Sequence, residues 1–120
     1  MKTLLTIIAF ISFTTFAGEL TIRSLRLEIA KNGIKHPRIV LRQAILETGW
    51  LKSYNCTERN NIFGFRTSEY LVFDSWQDCV RYYKDWQDRK YKGGCYYDFL
   101  VSVGYASDKS YCDKLKQIKL

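Results

Sequence analysis

Residues 37–53, PRIVLRQAILETGWLKS, decide the fold. Proline is suited to a first helical turn, and Ile39, Val40, Leu41, Ala44, Ile45, Leu46, Trp50 and Leu51 then cover most of a helix circumference. A helix apolar nearly all round belongs at the centre of a small domain. One residue conflicts with that role. At about 100° per residue, Glu47 falls on the same side of the wheel as Ile39, Val40, Trp50 and Leu51, with Gln43 one turn earlier, and away from the polar sector of Arg42, Gly49 and Ser53. A carboxylate there is either desolvated, which raises its pKa toward the range of a general acid, or it reaches water at the helix end and pairs with Arg42 or Lys52. Gln43 is placed to hydrogen-bond it in either case.

Around this segment the chain reads as one mainly helical domain. Ile22, Leu25 and Ile29 give a first helix from about Leu20 to Lys31, stopped by Asn32-Gly33. The second runs from Pro37 to about Ser53. From Tyr54 to Asp74 the helical period is lost among Asn55, Asn60, Asn61 and Gly64, and an irregular or two-stranded lobe is expected, pairing Tyr70–Phe73 with Ile62–Arg66. Ser75, with Asp78 three positions on, opens a third helix from Trp76 to about Arg89. Tyr96 to Val103 forms a fourth, stopped by Gly104. A fifth, capped by Ser107 or Asp108, buries Tyr111, Leu115 and Ile118.

The chain has 120 residues, 47% hydrophobic and 16% aromatic, enough for one packed core. Met1-Lys2, an apolar run of about ten residues and Thr15-Phe16-Ala17 read as a secretory signal peptide over residues 1–17, cleaved after Ala17. The run is shorter than the roughly 20 residues a membrane span needs. No stable membrane insertion is therefore expected after cleavage. The formal net charge is +7, and losing Lys2 with the leader lowers it by one. Basic residues interleaved with acids, as in Lys84-Asp85 and Asp88-Arg89, describe a mixed solvated surface, and no nucleic acid partner is expected. Cys56, Cys79, Cys95 and Cys112 form an even set that, in an exported chain, fits two disulfides in any of three pairings. With no CxxC and a lone His36, no metal site is expected. Free thiols are the remaining alternative. Asn55-Cys56-Thr57 fits the N-glycosylation pattern.

Three ordered segments carry a resemblance. Gln43 to Trp50 with Ser53, then Asn60-Asn61-Ile62-Phe63-Gly64-Phe65, and finally Gly104-Tyr105-Ala106-Ser107-Asp108 to Tyr111 with Leu115, resemble glycoside hydrolase family 73. These are bacterial endo-β-N-acetylglucosaminidases that cut peptidoglycan on a lysozyme-like fold, often labelled mannosyl-glycoprotein endo-β-N-acetylglucosaminidase-like. Asp74-Ser75-Trp76 to Tyr83 is similar to the family's helix after the β-lobe. The resemblance implies a mainly α, lysozyme-like domain over residues 18–120, with a shortened β-lobe between helices two and three. It also implies a monomer without cofactor, acting on peptidoglycan glycan strands.

Residue by residue, it places Glu47 on the general acid. Asn61 and Phe63 fall on the segment that shapes the sugar cleft, where a turn asparagine and a core aromatic are the plainer alternatives. Gln43 joins them as a substrate-side residue. Tyr105 falls on the tyrosine closing the site opposite the acid, against a role in packing the last helix. Glu69, in Thr67-Ser68-Glu69-Tyr70, resembles a stretch where some members carry a second catalytic carboxylate. The lobe is short here, so Glu69 is equally a surface residue. Without it, the 2-acetamido group of the substrate would assist the reaction. A non-catalytic wall-binding module of the same fold is the alternative function.

Overall fold

A computed structural model of the chain describes residues 18–105 and 110–120. The leader read at residues 1–17, and the Ser107 or Asp108 cap, lie outside them. Among the described residues six helices follow in order: α1 Ile22–Lys31, α2 Pro37–Thr48, α3 Tyr54–Arg59, α4 Trp76–Lys90, α5 Tyr96–Ser102 and α6 Ser110–Gln117. The domain is mainly helical, as the lysozyme-like expectation requires. α2 is its central element and packs against α1, α3 and α6. It buries Val40, Leu41, Ala44 and Ile45, together with the polar Gln43 and Thr48.

The central helix is shorter than its apolar pattern predicts. It ends at Thr48, not Ser53, because Gly49, Trp50 and Leu51 all take left-handed backbone angles (φ 55°, 63° and 69°). Such angles cost a non-glycine residue roughly 1–2 kcal/mol. Local hydrogen bonds offset that cost: the Thr48 hydroxyl donates to the Ala44 carbonyl at 2.7 Å and accepts from the Leu51 N–H at 2.7 Å. The chain then turns, and Ser53 caps α3 by accepting from the Cys56 N–H at 3.2 Å. Trp50 is left 51% exposed instead of completing an apolar helix face. The wheel positions of Trp50 and Leu51 therefore do not apply.

Between α3 and α4 the expected strand pair is reduced to one antiparallel bridge, Arg66 to Tyr70. Two asparagine side chains do the work of a ladder. Asn60 Nδ2 donates to the Phe73 carbonyl at 3.0 Å. Asn61 Nδ2 donates to the carbonyls of Phe65 (2.7 Å) and Leu71 (3.0 Å), while its Oδ1 accepts from the Phe65 N–H at 3.0 Å. Asn61, only 1% exposed, thus clasps the loop from within. Ser75 caps α4 as its sequence predicts, accepting from the Asp78 N–H at 3.1 Å.

The two disulfides expected from the even cysteine count are not formed; all four cysteines are free. Two of the thiols contact other polar groups, and the exposed Cys95 does not take part. Cys79 Sγ lies 4.0 Å from Asn61 Oδ1, Cys112 Sγ lies 3.7 Å from the Tyr97 carbonyl, and Cys95 stands exposed ahead of α5. Burial pushes the Cys79 thiol up to about 12, which makes it a poor nucleophile for exchange. The unfolding midpoint should accordingly be the same with and without a reductant, and denatured protein should titrate as four thiols. A drop on reduction would contradict the free-thiol arrangement, since losing a native disulfide typically costs about 2–5 kcal/mol. Among the described residues, no helix is long and apolar enough to cross a membrane.

Candidate active site

Glu47 occupies the last turn of α2, and two segments distant in sequence close on its carboxyl group. From α6, the Tyr111 hydroxyl donates to Oε1 at 3.2 Å. From the loop after α3, Gly64 approaches so closely that a Cβ added there would lie 2.8 Å from Oε2. Gly64 also has φ +72°, a backbone state that favours glycine. The Glu47 residue as a whole is exposed, yet the crowding falls on its ionising atoms. Water is displaced where the charge would form, so the carboxyl pKa is raised above its ordinary value. The Tyr111 hydrogen bond opposes that rise without cancelling it.

The other residues singled out from sequence lie around or beneath this carboxyl. Gln43 is fully buried and reaches Glu47 only through Tyr111, to whose oxygen its Nε2 donates at 3.5 Å. Phe63 is 1% exposed, with its ring centroid 4.5 Å from that of Tyr83 in the aromatic core. Its carbonyl accepts a hydrogen bond from the Tyr105 hydroxyl, tying the loop that carries Gly64 to the segment after α5. The Tyr105 ring packs 5.9 Å from Tyr111 and 5.6 Å from Trp86. Burial holds its hydroxyl pKa well above the ordinary tyrosine value, and the charges of Tyr111 and Glu47 push it the same way. Asn61 acts at one remove, by clasping the Gly64 loop. Glu69 is exposed near the Arg66–Tyr70 bridge and lines a separate surface groove of about 530 Å³ with Arg59, Arg66, Ser68, Tyr70 and Val72. Glu47 is not among the residues that line this groove.

An acid crowded by a glycine loop and a tyrosine is a local pattern, and comparison with known proteins gives it a family. Residues 23–119 match the glucosaminidase family model, described as mannosyl-glycoprotein endo-beta-N-acetylglucosaminidase. The chain belongs to the glucosaminidase family. No curated protein and no solved structure matches it. A glucosaminidase is a glycoside hydrolase whose substrate is a glycan.

Two residues of the candidate site are not marked by any local sequence pattern. The sequence pattern puts Tyr111 on the buried stripe of the last helix, and its hydroxyl is the hydrogen-bond donor to Glu47, 64 positions away. No periodicity within one helix reports such a contact. The signal available was its place at the end of the segment beginning Gly104-Tyr105. Gly64 reads as a turn marker, and its closeness to Glu47 depends on the loop path set by Asn61.

Proposed function

We propose that this glucosaminidase is an exported peptidoglycan hydrolase that cleaves the β-1,4 bond after N-acetylglucosamine, with Glu47 as general acid. The observation that carries the proposal is the carboxyl of Glu47, held between Gly64 and Tyr111 with its pKa raised by desolvation. A carboxyl whose pKa is raised holds its proton to higher pH, which favours protonation of a glycosidic oxygen. Export rests on the leader-like residues 1–17.

The Glu47 proton passes to the glycosidic oxygen as its bond to the anomeric carbon of N-acetylglucosamine breaks. The acetamido oxygen of the same sugar forms the new bond to that carbon, giving a cyclic oxazolinium ion. Water then attacks the anomeric carbon, the Glu47 carboxylate takes the water's proton, and the acetamido group is released. The route needs one carboxyl group, which fits a site where Glu69 lines a different surface. A retaining enzyme with a protein nucleophile would need two carboxyl groups about 5–5.5 Å apart. Tyr105 closes the site beside the acid, and Gln43, Asn61 and Phe63 build it from below.

The reduction of the β-lobe to a single bridge favours a second reading, a non-catalytic wall-binding module. Mass spectrometry of borohydride-reduced muropeptides after digestion of purified walls tests the proposal. Reduced N-acetylglucosamine ends are expected. Reduced N-acetylmuramic ends would indicate cleavage of the other glycosidic bond, and products no different from undigested walls would favour the binding module.

A further inference from the structure

A file of buried amides and hydroxyls runs from the backbone of Lys35 to Glu47, and the direction of each bond can be assigned. Lys35 grips both ends of the Gln87 amide: its N–H donates to Oε1 at 2.8 Å, and its carbonyl accepts from Nε2 at 2.9 Å. An amide oxygen only accepts and an amide nitrogen only donates, so Gln87 cannot be flipped. The other Nε2 hydrogen is donated to the Tyr96 hydroxyl at 2.9 Å. Tyr83 donates to Gln43 Oε1 at 2.5 Å, and its oxygen lies 2.6 Å from that of Tyr96. Each hydroxyl has one hydrogen, so Tyr96 is the donor to Tyr83. With its oxygen engaged, Gln43 turns Nε2 toward Tyr111, whose own hydrogen goes to Glu47 Oε1. Gln43, Tyr83, Gln87 and Tyr96 are all at most 1% exposed, so bulk water does not compete for these bonds.

We propose that Gln87, Tyr96, Tyr83 and Gln43 are positioning residues that fix the direction of this file, so that Tyr111 donates to Glu47 Oε1 and the acid proton resides on Oε2. The inference rests on the reading of Glu47 as the acid and specifies which oxygen delivers the proton. A carboxyl group carries one proton. With Oε1 accepting from Tyr111, that proton lies on Oε2, the oxygen crowded by Gly64. As the proton leaves, charge grows on the carboxylate and the Tyr111 hydrogen bond strengthens, a gain realised mainly in the transition state. If Tyr83 cannot donate, the Gln43 amide is free to turn its oxygen toward Tyr111, which then donates there instead. Among the described residues, the titratable groups facing Glu47 are Tyr111 from α6 and Tyr105 from the segment after α5. Both are held protonated by burial, and Gly64 contributes no charge.

The test is a carbon-13 titration of the Glu47 carboxyl in the full chain, assigned with Glu47→Gln. Tyr83→Phe should raise its apparent pKa by about half a unit to one unit, the scale of one lost hydrogen bond. Tyr111→Phe should raise it at least as much, and Tyr96→Phe less. Tyr82→Phe, one position before Tyr83 with its ring against Phe65 and Phe73 and no bond in the file, should leave it in place. The alkaline limb of wall hydrolysis should move upward with the titration, because a general acid works while protonated. Should Tyr83→Phe not fold by near-ultraviolet circular dichroism, Tyr96→Phe decides. A shift smaller than about 0.2 unit in the folded file variants would overturn the proposal, against the half unit expected for one hydrogen bond. Wall hydrolysis by Glu47→Gln at the wild-type rate would instead overturn the acid assignment and with it the role of Oε2, leaving the direction of the file to be judged by the titrations.

Discussion

Glu47→Gln lowers the release of reducing ends from purified peptidoglycan by about 10²–10⁴-fold, the usual contribution of a positioned acid. Glutamine keeps the shape of the side chain and can still accept from Tyr111, so the loss isolates the proton. The same substitution separates catalysis from folding. The folded-state pKa of Glu47 is raised from its ordinary 4.5. Its linked stability is therefore fully present below about pH 4.5 and is lost as pH rises through the folded value. Above its folded pKa the ionised Glu47 opposes folding, and there Glu47→Gln should melt at or above the wild-type temperature, with the gap closing as pH falls. Loss of activity together with loss of structure would show that Glu47 is a structural residue.

Gly64→Ala has the second large effect. The new Cβ would stand 2.8 Å from Glu47 Oε2 and 3.3 Å from its carboxyl carbon, so the carboxyl must move. A displacement of about 1 Å at a reacting group can cost about 10²-fold in rate. The backbone at φ +72° adds a stability loss of roughly 1–2 kcal/mol for any residue with a Cβ. Gly33→Ala is the matched control. Gly33 has nearly the same angle, φ +67°, with nothing within 4 Å of the added Cβ. It should lose similar stability and keep its activity. Equal rate losses in the two variants, measured well below their melting temperatures, would mean that the contact with Glu47 is irrelevant.

How far the sequence could be read depended on whether the deciding contacts were local. Helix positions followed from periodicity, and the central role of α2 from its apolar circumference. The wheel sets Glu47 beside Ile39, Val40, Trp50 and Leu51 and leaves desolvation and solvent exposure both open; Trp50 and Leu51 do not lie on the helix. The desolvation comes from Gly64 and Tyr111, brought in by a loop and by the last helix, and no pattern local to α2 could have placed them. The lobe was expected to be stranded because Tyr70–Phe73 has strand-forming residues. Asn60 and Asn61 satisfy that backbone with side-chain amides, so only one bridge forms. The even cysteine count pointed to pairing, but counting cannot reveal that two of the thiols face Asn61 and the Tyr97 carbonyl. Glu69 shows the same limit. A short lobe can be read from sequence, while the surface its carboxylate lines cannot.

The pH dependence of kcat/KM on a soluble glycan-strand substrate tests the central claim most directly. The rate should fall as pH rises through a single group titrating above 4.5, at the same pH where the Glu47 carboxyl ionises. A rate that stays flat through that ionisation, or an alkaline limb assigned to another residue, would contradict it.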